Sequence, residues 1–161
     1  MLTTEEIQRA ADDLYRAGIN RAPIDPISLT HPDMTLDDSY AIQVAVNDRK
    51  LAEGRKIIGY KIGYTSRAMQ KALKINEPDF GVMFDDMLFP DGIDISAAQF
   101  CGPRIEMELA FVLKDRLDGE NISIFDVLNA TDYVIPALEI IAARSHRVHP
   151  TTGYTRKVID T

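Results

Sequence analysis

The hydrophobic period of this chain changes once, near residue 55, and that change restricts what it can fold into. Upstream, Ile7, Ala10, Ala11, Leu14 and Tyr15 recur at helical spacing behind Thr3, with Glu6 three residues along. A threonine that accepts from the third helical N–H, while a glutamate reaches back, forms a capping box. A helix therefore starts there, and Gly18 is placed to end it. Thr35 and Asp38 open a second helix with a stripe of Tyr40, Ala41, Val44, Ala45 and Leu51, closed by Gly54. Pro23, Pro26 and Pro32 make the stretch between them an irregular connector.

Downstream the apolar runs shorten. "KIIGYKIG" predicts a strand with close backbone approach at Gly59 and Gly63, and Thr65 or Ser66 caps a short helix through Leu73. A strand is expected near 82–89, and the longest one in "PRIEMELAFVLK". Ser123 and Asp126 open another short helix before the extended run "YVIPALEIIAAR". "RKVIDT" favours β structure and predicts an exposed strand edge. This order predicts a mixed α/β (α+β) fold with a helical portion, residues 1–55, and a β-rich portion, residues 56–161.

The formal net charge of −7 excludes a polyanion-tracking surface, so no nucleic-acid partner is expected. The N-terminus lacks the basic-then-apolar order of a secretory signal, and "VIPALEIIAA" is too short to span a bilayer. A single cysteine, Cys101, excludes an internal disulfide framework and reads as a small core residue. A soluble, cytoplasmic protein without a membrane partner is the expectation.

Within the longest strand, Glu106 and Glu108 stand two apart, so both project from one face. Glu139 is the sole charge of "VIPALEIIAA". Carboxylates on apolar elements need compensation. Three readings stay open: partial protonation, a hard divalent cation, Mg²⁺ or Mn²⁺, or an ion pair with Arg104, which shares the parity of Glu106 and Glu108. Lys61, among small neighbours, reads either as an edge lysine extending to water or as a carboxylate-holding or acid/base group. Asp79, after Pro78 and near Gly81, reads as a turn aspartate or a base. His146 and His149 read as solvated loop residues, and Asp85–Asp86 as a polar pair at a strand end.

Four segments carry a resemblance: "GYKIGYTSRAMQ", "EPDFGVMFDDM", "PRIEMELAFVL" and "NATDYVIPALEII". In this order and spacing the chain resembles the hydratase/decarboxylase family of meta-cleavage pathways, within the fumarylacetoacetate hydrolase superfamily. The resemblance runs from about Pro26 onward. It implies part of the mixed β-roll or barrel of that fold, truncated at its C-terminal side, because family members continue into further strands. Glu106, Glu108 and Glu139 are implied as metal ligands, with Mg²⁺ the usual ion. Lys61 and Asp79 are implied as catalytic residues.

The activity implied is Mg²⁺-dependent addition of water to a small 2-oxo-alkenoate, by a homo-oligomer, in breakdown of aromatic compounds. A seven-carbon dioate and 2-hydroxypenta-2,4-dienoate are both open as substrates. Decarboxylation of a 2-oxo-3-enedioate is the alternative chemistry, and a non-catalytic binding or assembly module the alternative class.

Overall fold

The structure, a computed structural model, describes residues 1–160. Its elements in chain order are α1 (Thr4–Asn20), α2 (Ile27–Thr30), α3 (Leu36–Ala52), β1 (Ile57–Gly63), α4 (Arg67–Leu73), β2 (Asp79–Phe84), β3 (Arg104–Leu113), α5 (Ile124–Ala130) and β4 (Thr131–Ile141). The mixed α/β expectation holds. Contacts group the residues into two compact units, 1–101 with 143 onward, and 102–142. Residues 55 and 56 lie between α3 and β1, within the first of these units. No helix among the described residues is long and apolar enough to cross a membrane.

In the larger unit, α1 packs on α3 through Ala10, Ala11, Ile42, Ala45 and Val46, with Ile27 and Met34 closing the core. The buried face of α3 is not the stripe expected. Val44 and Leu51 are exposed, whereas Ile42 and Val46 are inside. Apolar residues are spread around this helix, so spacing alone leaves its phase open, and small residues of α1 select the face. α1 also runs past Gly18 to Asn20, where Arg21 takes the left-handed cap conformation with φ 55°.

Three capping boxes hold the helix starts. Glu6 accepts from the Thr3 N–H at 2.7 Å, Asp38 from the Thr35 N–H at 2.8 Å, and Asp126 from the Ser123 N–H at 2.7 Å. Asp38 also accepts from the Leu2 N–H at 2.8 Å, tying the entrance of α1 to α3. The backbone N–H of Thr3, the backbone N–H of Thr35 and the hydroxyl of Ser123 are the main reasons that these three carboxyls titrate below their ordinary values.

A carboxyl whose folded-state value is depressed stabilises the fold above its unfolded value. That stability is lost as pH falls through the depressed folded value. Melting temperature is therefore expected to hold down to the ordinary carboxylate range and decline below it. Ser123→Ala with Asp126→Ala should flatten part of that decline. Circular-dichroism melts against pH read this, and an unchanged slope in the double variant overturns it.

β1 and β2 pair antiparallel across the intervening α4, with Lys61 opposite Gly81 and Gly63 opposite Asp79. β2 spans 79–84, earlier than the expected 82–89. Asp85 starts a 3₁₀ turn in which its carboxylate accepts from the Lys56 N–H at 3.1 Å, and Asp86 pairs with Lys50 at 3.1 Å. The stretch 158–160 is likewise a 3₁₀ turn rather than the expected strand. There the Asp160 carboxylate accepts from the Ser28 N–H at 2.7 Å and the Lys157 N–H at 2.8 Å, which closes a turn that β propensity does not register. Thr161 lies outside the described residues.

His149 is also a correction. Its ring is 13% exposed and 3.1 Å from the Asp25 carboxylate, and its Nδ1 accepts from the Thr152 N–H at 3.0 Å. The pairing partner lies 124 positions away, so the polar look of "RSHRVHP" hid it. Cys101 is buried, as expected.

The smaller unit is a two-stranded antiparallel ribbon, β3 with β4, carrying α5 at one end. The Ile105, Met107, Leu109 and Phe111 side of β3 is exposed, and Met107 reaches 89%.

Candidate functional site

In the ribbon, the β3–β4 register sets Glu106 directly opposite Glu139 and Glu108 opposite Ala137. Opposed residues of an antiparallel pair project to the same side, and Glu108 follows Glu106 on that side by the two-residue alternation. All three carboxylates therefore converge. One oxygen from each can be chosen so that the three lie within 4.8 Å of one another.

Arg104, at the same parity, does not resolve the charge. Among the described residues, neither Glu106 nor Glu108 has a basic side chain within ion-pair distance. Like charges set opposite each other cost an antiparallel pair on the order of 0.5 kcal/mol. A cation would give Glu106 and Glu108 the positive partner that no basic side chain supplies. A donor set of oxygen atoms alone, with no thiolate or imidazole, suits a hard divalent ion. Glu106 and Glu108 are exposed and Glu139 half-buried, which leaves room for the waters and substrate oxygens such an ion takes.

Lys61 and Asp79 meet in the other unit. Gly81, opposite Lys61, has no side chain, so the lysine stem lies across β2. A Cβ at Gly81 would stand 3.1 Å from Lys61 Cε, and one at Gly63 only 3.3 Å from Nζ. Along that path Nζ comes within 3.4 Å of the Asp79 Oδ2, the diagonal neighbour two residues before Gly81. Asp79 is the first residue of β2 and not a turn residue.

The carboxylate of Asp79 is 21% exposed and opens to a pocket of about 220 Å³ lined by Leu36, Tyr40, Gln43, Lys74 and Pro78. Just past Lys61, Tyr64 adopts a left-handed backbone with φ 52° and turns the chain into α4. Its carbonyl accepts from the Gln70 side chain at 2.7 Å. Tyr40 was legible only as a member of an apolar stripe. Its hydroxyl, which donates to Asp79 Oδ1 at 3.0 Å, gave no signal in the sequence.

No protein-family model matches the chain. Curated relatives do. The chain is 53% identical over 151 residues to 2-oxo-hept-4-ene-1,7-dioate hydratase of Escherichia coli, covering 94% of this chain and 57% of the relative. It is 44% identical over 143 residues to 2-keto-4-pentenoate hydratase of Paraburkholderia xenovorans, covering 89% of this chain and 53% of the relative. The chain is related to the hydratase/decarboxylase family.

It spans a little over half the length of these curated family members. Its fold matches that of 4-oxalocrotonate decarboxylase from Pseudomonas putida G7, complexed with magnesium and adipate. The TM-score is 0.88 at 32% identity, covering 99% of this chain and 59% of that one. The same decarboxylase complexed with calcium and acetate matches with a TM-score of 0.84 at 34% identity, covering 90% of this chain and 56% of that one. The expected family resemblance and the expected fold are therefore borne out.

Proposed function

We propose that the protein is a Mg²⁺-dependent hydratase that converts 2-oxohept-4-ene-1,7-dioate to 4-hydroxy-2-oxoheptanedioate in the catabolism of aromatic compounds. The observation that carries this reading is the convergence of Glu106, Glu108 and Glu139, in a chain 53% identical to a hydratase of that substrate. The three glutamates are the ligands of the ion, and Mn²⁺ is the nearest substitute in charge and oxygen preference. Mg²⁺ bound there supplies Lewis acidity toward the carboxylate and adjacent keto oxygens of a 2-oxo acid, and it neutralises the clustered carboxylates.

The remaining work belongs to side chains. Asp79 takes a proton from C3, and a proton returned at C5 moves the double bond into conjugation with the ketone. The oxygen of water then bonds to C4 while its proton is lost and C3 gains one, so the net change is one water added. Lys61 gives a proton to the oxygen on which negative charge develops when C3 is deprotonated, and takes it back as the ketone re-forms.

Decarboxylation of a 2-oxo-3-enedioate is the second reading, favoured by the 0.88 match to a 4-oxalocrotonate decarboxylase. It needs the same charge stabilisation but breaks a carbon–carbon bond to release CO₂. Assays of the purified chain with Mg²⁺ on the seven-carbon dioate, on 2-hydroxypenta-2,4-dienoate and on a 2-oxo-3-enedioate separate the readings. Loss of dienol absorbance without CO₂ is expected. CO₂ release in step with substrate loss, or inertness toward all three, overturns the hydratase reading.

Self-association into a homo-oligomer and a cytoplasmic location belong to the same proposal. The exposed apolar side of β3 and the single buried thiol support them. Sedimentation that finds a monomer at every concentration overturns the first, and fractionation outside the cytoplasm the second.

A further inference from the structure

Both oxygens of the Asp79 carboxylate are engaged, each from a different element. Oδ2 faces Lys61 Nζ on β1 at 3.4 Å, and Oδ1 accepts from the Tyr40 hydroxyl on α3 at 3.0 Å. Two contacts on opposite oxygens fix the rotation of a carboxylate about its last torsion, which is otherwise broad. The tyrosine is itself held. Its ring stacks on Phe80, with centroids 4.9 Å apart and planes 18° apart. Gln43, one turn further along α3, donates to the Phe80 carbonyl at 3.2 Å and pins the start of β2 to the helix.

The hydroxyl stays a donor, since burial first and the adjoining carboxylate second push its titration above the ordinary tyrosine value. The charged side chains around this pair are Lys61 on β1, which faces Asp79, Glu77, which acts on Tyr40, and Lys74, which lines the same pocket.

We propose that Tyr40 is a positioning residue that holds the Asp79 carboxylate in the orientation facing Lys61. This rests on the acid/base reading of Lys61 and Asp79, and extends it to a helix that carries no residue of the family motifs. Tyr40 does not itself exchange protons with substrate. It sets where the carboxylate points, by holding Oδ1 while Oδ2 faces Lys61.

Tyr40→Phe removes only the hydroxyl and keeps the ring on Phe80. We expect kcat to fall about tenfold, the order of one hydrogen bond to a charged group, with substrate KM and Mg²⁺ affinity unchanged. In an Asp79→Asn background the same substitution is expected to change nothing further, because its effect runs through that carboxylate. Carboxyl ¹³C NMR reads the coupling without turnover. The Asp79 carboxyl resonance should move in Tyr40→Phe at constant pH, since the hydroxyl that holds one of its oxygens is gone.

An unmoved resonance, or a Tyr40→Phe loss that persists in full beside Asp79→Asn, overturns the assignment. If Asp79→Asn abolishes turnover while Tyr40→Phe is silent, only this inference fails. If Asp79→Asn is itself active, the acid/base reading beneath it fails instead.

Discussion

Glu106→Gln should reverse its effect on stability according to whether Mg²⁺ is present. In metal-free buffer the variant should melt slightly higher than the parent, because a neutral amide replaces one of two carboxylates set opposite each other across β3 and β4. That relief is on the order of 0.5 kcal/mol. With Mg²⁺ the order should invert. Loss of a charged ligand should weaken binding by about tenfold or more, since even outer partners of metal ligands are worth about that much.

At a Mg²⁺ concentration of one hundred times the parent Kd, the ion stabilises the parent by about 2.7 kcal/mol. A variant with tenfold weaker binding gains only about 1.4 kcal/mol at the same concentration. The difference exceeds the relief of repulsion, so the melting curves cross as Mg²⁺ is added. Calorimetric titration of Mg²⁺ and paired melts in chelator and in excess metal check both signs. Unchanged affinity in Glu106→Gln removes the glutamates from the metal centre and takes the hydratase reading with them.

Much of this site was legible before any coordinates, and the reasons differ by residue. The i, i+2 spacing of Glu106 and Glu108 in a run with strand character put both on one face, because alternation is a property of the backbone. That Glu139 would stand opposite Glu106 required a register, and spacing in one strand holds no information about its partner. The three capping boxes were equally local. Thr3–Glu6, Thr35–Asp38 and Ser123–Asp126 each need only three residues to be recognised, and all three formed.

The misses share the opposite property. The buried phase of α3 depended on which of its faces met α1. His149 depended on Asp25, far away in the chain, and the hydroxyl of Tyr40 on the placement of β2. Lys61 shows the boundary case. Small residues around it were visible in "GYKIG", yet the path of its side chain is set by Gly81 on the neighbouring strand. From the residues alone, a lysine extending to water is the better reading, and only the family resemblance reverses it.

Lys61→Ala and Asp79→Asn should each lower turnover by about 10²- to 10⁴-fold, the range typical of a positioned acid or base, while leaving Mg²⁺ affinity and folding nearly intact. The fold should survive because the pair contributes little to it. Lys61 is 38% exposed and Asp79 21%, and an ion pair so placed is worth at most about 1 kcal/mol. Asp79→Asn keeps the shape and an oxygen that can accept from Tyr40, but it cannot take up a proton, so kcat rather than KM should carry the loss.

Lys61→Arg separates charge from proton transfer. Guanidinium keeps the positive charge but does not deprotonate in proteins, and it is bulkier than the ammonium now held close over Gly63. Turnover at the Lys61→Ala level is therefore expected in Lys61→Arg. Near-parental rates would mean that the site asks only for a cation, leaving Asp79 to handle the protons unaided. Stopped-flow absorbance of the dienol, alongside Mg²⁺ titration of each variant, distinguishes these outcomes. If turnover persists near the parental rate in both Lys61→Ala and Asp79→Asn with metal still bound, neither residue moves a proton in the reaction.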